Sequence, residues 1–170
     1  MIRNAEQKIV TLEELITVRK RLRREHKKLV WTNGCFDLLH LGHVRYLECA
    51  RRSGDCLVVG INSDESYRRY KRKPGPVQPE EERIRIVAAL ECVDYALLFD
   101  APSPVELLRV LQPDVFVKGT DYSMVTIDSL EKETVLAYGG EVRLCPGVPN
   151  LSTSRLIERI LRLHSPPPDR

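Results

Sequence analysis

The chain has 170 residues, 42% of them hydrophobic and 30% charged, a length and composition that fit one globular domain with its own core and exclude disorder as the overall state. Its 27 Lys and Arg against 24 Asp and Glu leave a formal charge of +3, too small an excess to imply a nucleic-acid partner without a localised patch. No apolar run approaches the roughly 20 residues of a membrane-spanning helix, and the opening MIRNAEQK lacks a signal-peptide core, so a cytoplasmic protein with no membrane partner is expected. The cysteines Cys35, Cys49, Cys56, Cys92 and Cys145 are odd in number and form no CxxC pair, which predicts reduced, mostly structural thiols.

Element types alternate along the chain. Thr11 to Glu14 matches a capping box, and Leu12, Leu15, Val18 and Leu22 recur at helical spacing, predicting an amphipathic helix to about Glu25. Residues 28–32 (KLVWT) read as a strand ending in the turn-like Asn33-Gly34, with a helix at 41–52 behind it. Residues 56–61 (CLVVGI) are nearly all apolar, as in a strand covered on both faces. A helix at 63–70 precedes a loop at 71–78 (KRKPGPVQ), expected to be mobile, and Pro79 suits the first turn of a helix reaching about Leu90. Further strands fit 95–99, 115–118 and 141–144, with helices around 104–111 and 129–138; Ser103-Pro104-Val105-Glu106 predicts Ser103 as an N-cap. A last helix at 154–163 stops before SPPPDR, so one domain over 1–164 and a disordered tail at 165–170 are expected. Five strands alternating with helices predict an α/β fold, an open parallel sheet with helices on both faces, whose ligands bind beyond the carboxyl ends of the strands.

The first such loop carries Thr32, Asn33, Gly34, Cys35, Phe36, Asp37, His40, Gly42 and His43. Backbone N–H groups and the positive helix end converge there, which suits phosphate, and histidines three apart at a helix start can present their imidazoles to the same oxygens. Their alternative roles are capping and packing. GxxxxGK[ST] and GxGxxG are both absent, so neither a P-loop nor a dinucleotide fingerprint holds the phosphates. Near the other end, Ser152, Thr153 and Ser154 at a helix start are either an ordinary cap or a second phosphate contact, and Arg155 in the first turn favours an anion nearby. Lys118, Gly119 and Asp121 follow the fourth strand, although Lys118 also reads as a snorkelling strand-end lysine. Asn62, Asp64, Lys71 and Arg83 are candidates for a second substrate, with Arg83 offering a planar fork to phosphate and Lys71 closing over an anion; the alternative is a solvated charged surface. The basic run at 19–28 reads as the solvated face of the first helix. No protein metal site is expected.

His40-Leu41-Gly42-His43, with N-G-x-F-D before it, resembles the HxGH nucleotidyltransferase superfamily, and the match runs from about Lys8 to Ile160. TNGCFDLLHLGHVRYL, VGINSD, PVQPEEER, PDVFVKGTDY and YGGEV stand in the order of the adenylyltransferases of ADP-heptose synthesis, in their stand-alone form. The resemblance implies a Rossmann-like fold, a homo-oligomer, and transfer of AMP from ATP, with Mg²⁺, to the sugar phosphate D-glycero-β-D-manno-heptose 1-phosphate. It implies catalytic roles for His40, His43 and Lys71, nucleotide contacts from the first loop, from Lys118, Gly119 and Asp121 and from Ser152 to Ser154, and acceptor contacts from Lys71 and Arg83. Thr120 stands where the family has a second glycine and Gly75 where it has an arginine. A CTP-dependent cytidylyltransferase acting on an alcohol phosphate is the alternative, and a non-catalytic nucleotide- or nucleic-acid-binding regulator the third reading.

Overall fold

The computed structural model describes residues 3–71, 75–119, 127–148 and 150–164, the side chains of Tyr70 and Lys71 excepted. The apolar runs form five strands, β1 (Leu29–Gly34), β2 (Cys56–Asn62), β3 (Tyr95–Phe99), β4 (Val115–Gly119) and β5 (Glu141–Cys145). They pair in the order β3-β2-β1-β4-β5, every pair parallel. Helices α1 (Leu12–Arg24), α2 (Leu41–Arg51), α3 (Asp64–Lys71), α4 (Glu80–Ala89), α5 (Val105–Leu111), α6 (Ser129–Ala137) and α7 (Thr153–His164) alternate with them. The result is the α/β, Rossmann-like sheet expected. Among the described residues, no helix is long and apolar enough to cross a membrane.

Side chains alternate across each strand, so the sheet buries two cores. Val30, Leu57, Val59, Ile61, Val115 and Val117 pack under Leu47 and Ala50 of α2 and Ile84 and Val87 of α4. Leu29, Trp31, Val58, Leu97 and Phe116 pack against Leu15 and Leu22 of α1, Leu108 and Leu111 of α5 and Val135 of α6. The Thr11 capping box forms as read: its hydroxyl accepts from Glu14 N–H while the Glu14 carboxylate accepts from Thr11 N–H.

Four local readings change. β1 continues through Asn33 and Gly34, because both stay in register with β2. Helix α5 begins after Pro104 without a side-chain cap, and the Ser103 hydroxyl donates instead to Glu131 of α6. Arg19 does not belong to a solvated face: it is buried, gripping both Asp114 carboxylate oxygens and the Leu111 and Gln112 carbonyls, which ties α1 to the α5–β4 turn. Finally, Cys49 and Cys145 form a disulfide rather than staying reduced. Their separation of 96 residues hid the pair from spacing rules; α2 packs beside the end of β5 and brings them together.

Candidate active site

The strand order reverses direction of growth at β1, which puts the switch point between the carboxyl ends of β1 and β4. The two strands are in register only at Val30–Val115 and Trp31–Phe116. Beyond that they part, and Tyr46 of α2 fills the gap: its hydroxyl donates to the Val117 carbonyl at 3.0 Å and shares a second hydrogen bond with the Thr32 hydroxyl. Thr32 is thus fully buried beneath the site and does not line it. Above this wedge lies a cleft of about 420 Å³, lined by residues 33–37, His40, Gly42 and His43 of the first loop and α2, Lys118 and Gly119 of β4, and Ser152, Thr153 and Ser154 at α7. Three stretches singled out in the sequence therefore meet at one place.

His40 is the N-cap of α2, and its Nδ1 accepts the Gly42 N–H at 3.1 Å. An accepting Nδ1 carries no proton, so the ring proton lies on Nε2. The imidazoles of His40 and His43 stack with centroids 3.9 Å apart and planes 21° apart, and the Phe36 ring leans on His43 at 5.5 Å. Burial pushes the His43 pKa down to about 4, the neighbouring His40 adding to the effect and Asp37 opposing it. His43 is neutral at pH 7, a donor of a hydrogen bond rather than a cation. Gly42 is required by contact: a Cβ there would lie 2.9 Å from both Cε1 and Nδ1 of His40. Phe36 and Leu38 adopt left-handed backbone, with φ of 52° and 42°, a cost tolerated where the surroundings fix the loop.

The fixing comes from two residues. Asp37, almost wholly buried, accepts the N–H groups of Val77 and Gln78 at 2.9 and 3.0 Å, and its carbonyl accepts the Thr153 hydroxyl at 2.9 Å. One residue thereby joins the first loop, the segment before α4 and the start of α7. Arg83 has 0% exposure. Its guanidinium donates to the carbonyls of Gln78, Cys35 and Asn62 and pairs with Asp64 at 2.6 Å. The fork expected to hold substrate phosphate is therefore engaged by the protein, and the role read for Arg83 is corrected to that of a buried brace. Asp64 is its counter-ion, and the Asn62 amide donates to Ser66 and Ala101, so neither lines the cleft. The side chain of Lys71, and Thr120 and Asp121, lie outside the described residues.

At the floor of the cleft, the Lys118 ammonium pairs with Glu131 of α6 at 2.8 Å, both side chains nearly buried, and approaches Asn33 Oδ1 at 3.4 Å. Ser152 caps α7 by accepting the Arg155 N–H, and the Arg155 guanidinium turns aside to Asn150. Burial pushes the Cys35 thiol up to about 11, so it stays protonated and is no nucleophile. Sequence reasoning missed Tyr46, Tyr67 and Glu131. Tyr46 had a signal, its place three residues after His43 on one face of α2. Tyr67 lines the cleft from α3 beside Cys35. Nothing local marked Glu131.

A family model described as cytidylyltransferase-like matches residues 31–159, a span holding the whole cleft. The chain belongs to the cytidylyltransferase-like family. Curated relatives carry the name bifunctional protein HldE: that of Syntrophotalea carbinolica is 51% identical over 154 residues, covering 91% of this chain and 31% of the relative. That of Citrifermentans bemidjiense is 48% identical over 159 residues, covering 94% and 32%. The chain thus spans about a third of the length of these relatives. Among solved structures, a lipopolysaccharide core biosynthesis protein from Thermoplasma volcanium superposes with a TM-score of 0.59 at 29% identity, over 72% of this chain and 97% of that one. Pantoate-beta-alanine ligase from Francisella tularensis, at a TM-score of 0.57 and 18% identity over 91% of this chain and 78% of that one, shares the fold. The stacked histidines, the end of β4 and the start of α7 that line the cleft all fall within the matched residues.

Proposed function

We propose that this chain is an adenylyltransferase that transfers AMP from ATP to D-glycero-β-D-manno-heptose 1-phosphate, releasing pyrophosphate. The observation that carries the reading is the meeting of the His40–His43 stack with the α7 hydroxyls in one cleft. The choice of heptose is supported by the resemblance to ADP-heptose adenylyltransferases, by the HldE relatives, and by the lipopolysaccharide core biosynthesis neighbour.

An oxygen of the sugar phosphate, already ionised at neutral pH, attacks the α-phosphorus in line, and the bond to pyrophosphate breaks. No proton has to be removed from the nucleophile, so the protein positions the reactants and stabilises charge on the α-phosphate and leaving group. His40 and His43 supply donors at the α-phosphate, and Ser152, Thr153 and Ser154 with the α7 N-terminus receive the leaving phosphates. Mg²⁺ enters with the nucleotide as part of the substrate. Among the described residues no group of three or more His, Cys, Asp or Glu forms a resident metal site, and both Asp37 carboxylate oxygens already accept backbone amides.

The test is pyrophosphate release with Mg²⁺, crossing ATP and CTP against heptose 1-phosphate and glycerol 3-phosphate. Release confined to ATP with heptose 1-phosphate is expected. Release with CTP and glycerol 3-phosphate would replace the reading by the cytidylyltransferase one, and binding without turnover would replace it by a regulator.

A further inference from the structure

Glu131 lies 13 positions beyond Lys118 in the sequence and on a different element, yet the two side chains meet at 2.8 Å with 8% and 9% exposure. Lys118 lines the cleft and Glu131 does not. The carboxylate sits in the first turn of α6, where the helix end favours an anion, and its own position is set by the Asp128 cap, which accepts the Glu131 N–H at 3.1 Å. On its other side the Ser103 hydroxyl donates to it at 3.4 Å. A lysine on a four-carbon stem has no preferred direction of its own. Here the carboxylate behind it and Asn33 Oδ1 at 3.4 Å fix where the ammonium stands.

We infer that Glu131 is a positioning residue for nucleotide binding, holding Lys118 at the cleft floor so that the nucleotide meets a directed donor belonging to a neutral ion pair rather than a free cation. The inference rests on the nucleotide site proposed above. Residues that orient a ligand-binding group from behind commonly change affinity about 10- to 100-fold when removed, as around metal ligands.

Four proteins separate this from a stability effect: wild type, Glu131→Gln, Lys118→Met, and the Glu131→Leu/Lys118→Met double variant. The double variant removes both charges together, a change that buried pairs often tolerate, whereas one charge left alone destabilises. Equilibrium binding of ATP, melting temperature, and KM for the sugar phosphate are read for each. Glu131→Gln is expected to weaken ATP binding about tenfold with the sugar phosphate KM unchanged. The double variant is expected to melt near wild type yet bind ATP as weakly as Lys118→Met. ATP affinity at the wild-type level in Glu131→Gln, or its restoration in the double variant, overturns the inference while leaving the proposed function standing. A wild type that binds neither ATP nor CTP overturns both.

Discussion

Gly42→Ala tests the histidine pair without replacing either ring. The new Cβ would stand 2.9 Å from Cε1 and Nδ1 of His40, whereas carbon contacts settle at about 3.5–4.0 Å, so the imidazole must recede by about 0.5 Å or more. Doing so breaks the Gly42 N–H bond to Nδ1 and the 3.9 Å stack on His43. Losing a helix cap costs about 1 kcal/mol, and alanine in place of glycine returns about 1 kcal/mol of helix propensity, so stability should barely move. Activity should move a great deal: misplacing a donor aimed at the reacting phosphate costs on the order of a hundredfold in kcat. The assay is pyrophosphate release beside a thermal melt on the same preparation. A variant that melts normally and turns over close to wild type would refute the requirement for the His40 geometry.

Other outcomes follow from the same site. His43 resists protonation to about pH 4, while its unfolded imidazole takes a proton near 6.5; its contribution to stability is complete above about pH 6.5 and is lost as pH falls toward 4, by at most about 3 kcal/mol. Urea unfolding of wild type and His43→Asn between pH 7 and 4 should show the variant losing less, and equal slopes would remove His43 as the source. Arg83→Lys leaves carbonyls of Gln78, Cys35 and Asn62 without their fork and should cost about 3 kcal/mol or more in a denaturant melt; a normal melt with a raised sugar phosphate KM would instead restore Arg83 to the substrate. Tyr67→Ala removes a side chain that lines the cleft from α3 and should raise the KM of one of the two substrates about five- to tenfold, the worth of one hydrogen bond. Wild-type KM values for both substrates would take Tyr67 out of the site.

The parallel sheet was legible because CLVVGI, YALLF and VFVK are nearly continuous apolar runs between helical periods, and the first loop because it joins glycines and histidines at a strand–helix junction. The direction of buried charges was not. Arg83 and Arg19 look in sequence like any surface arginines; only the carbonyls that surround them, contributed by distant turns, make them internal. Lys118 was read at the right strand end, but its partner Glu131 comes from a helix whose approach depends on the whole sheet. Cys49 and Cys145 failed as a pair for the same reason, since spacing carries information about contact only within an element.

Arg83 joins the carbonyls of Cys35, Asn62 and Gln78 at zero exposure, and Asp37 fastens Val77 and Gln78 from the opposite side. The root of the segment before α4 is thereby keyed to the histidine loop as one rigid block. A disturbance on either side travels to the other as a displacement, and Val77→Pro or Gln78→Pro, which removes an amide that Asp37 accepts, will register in the placement of the imidazoles.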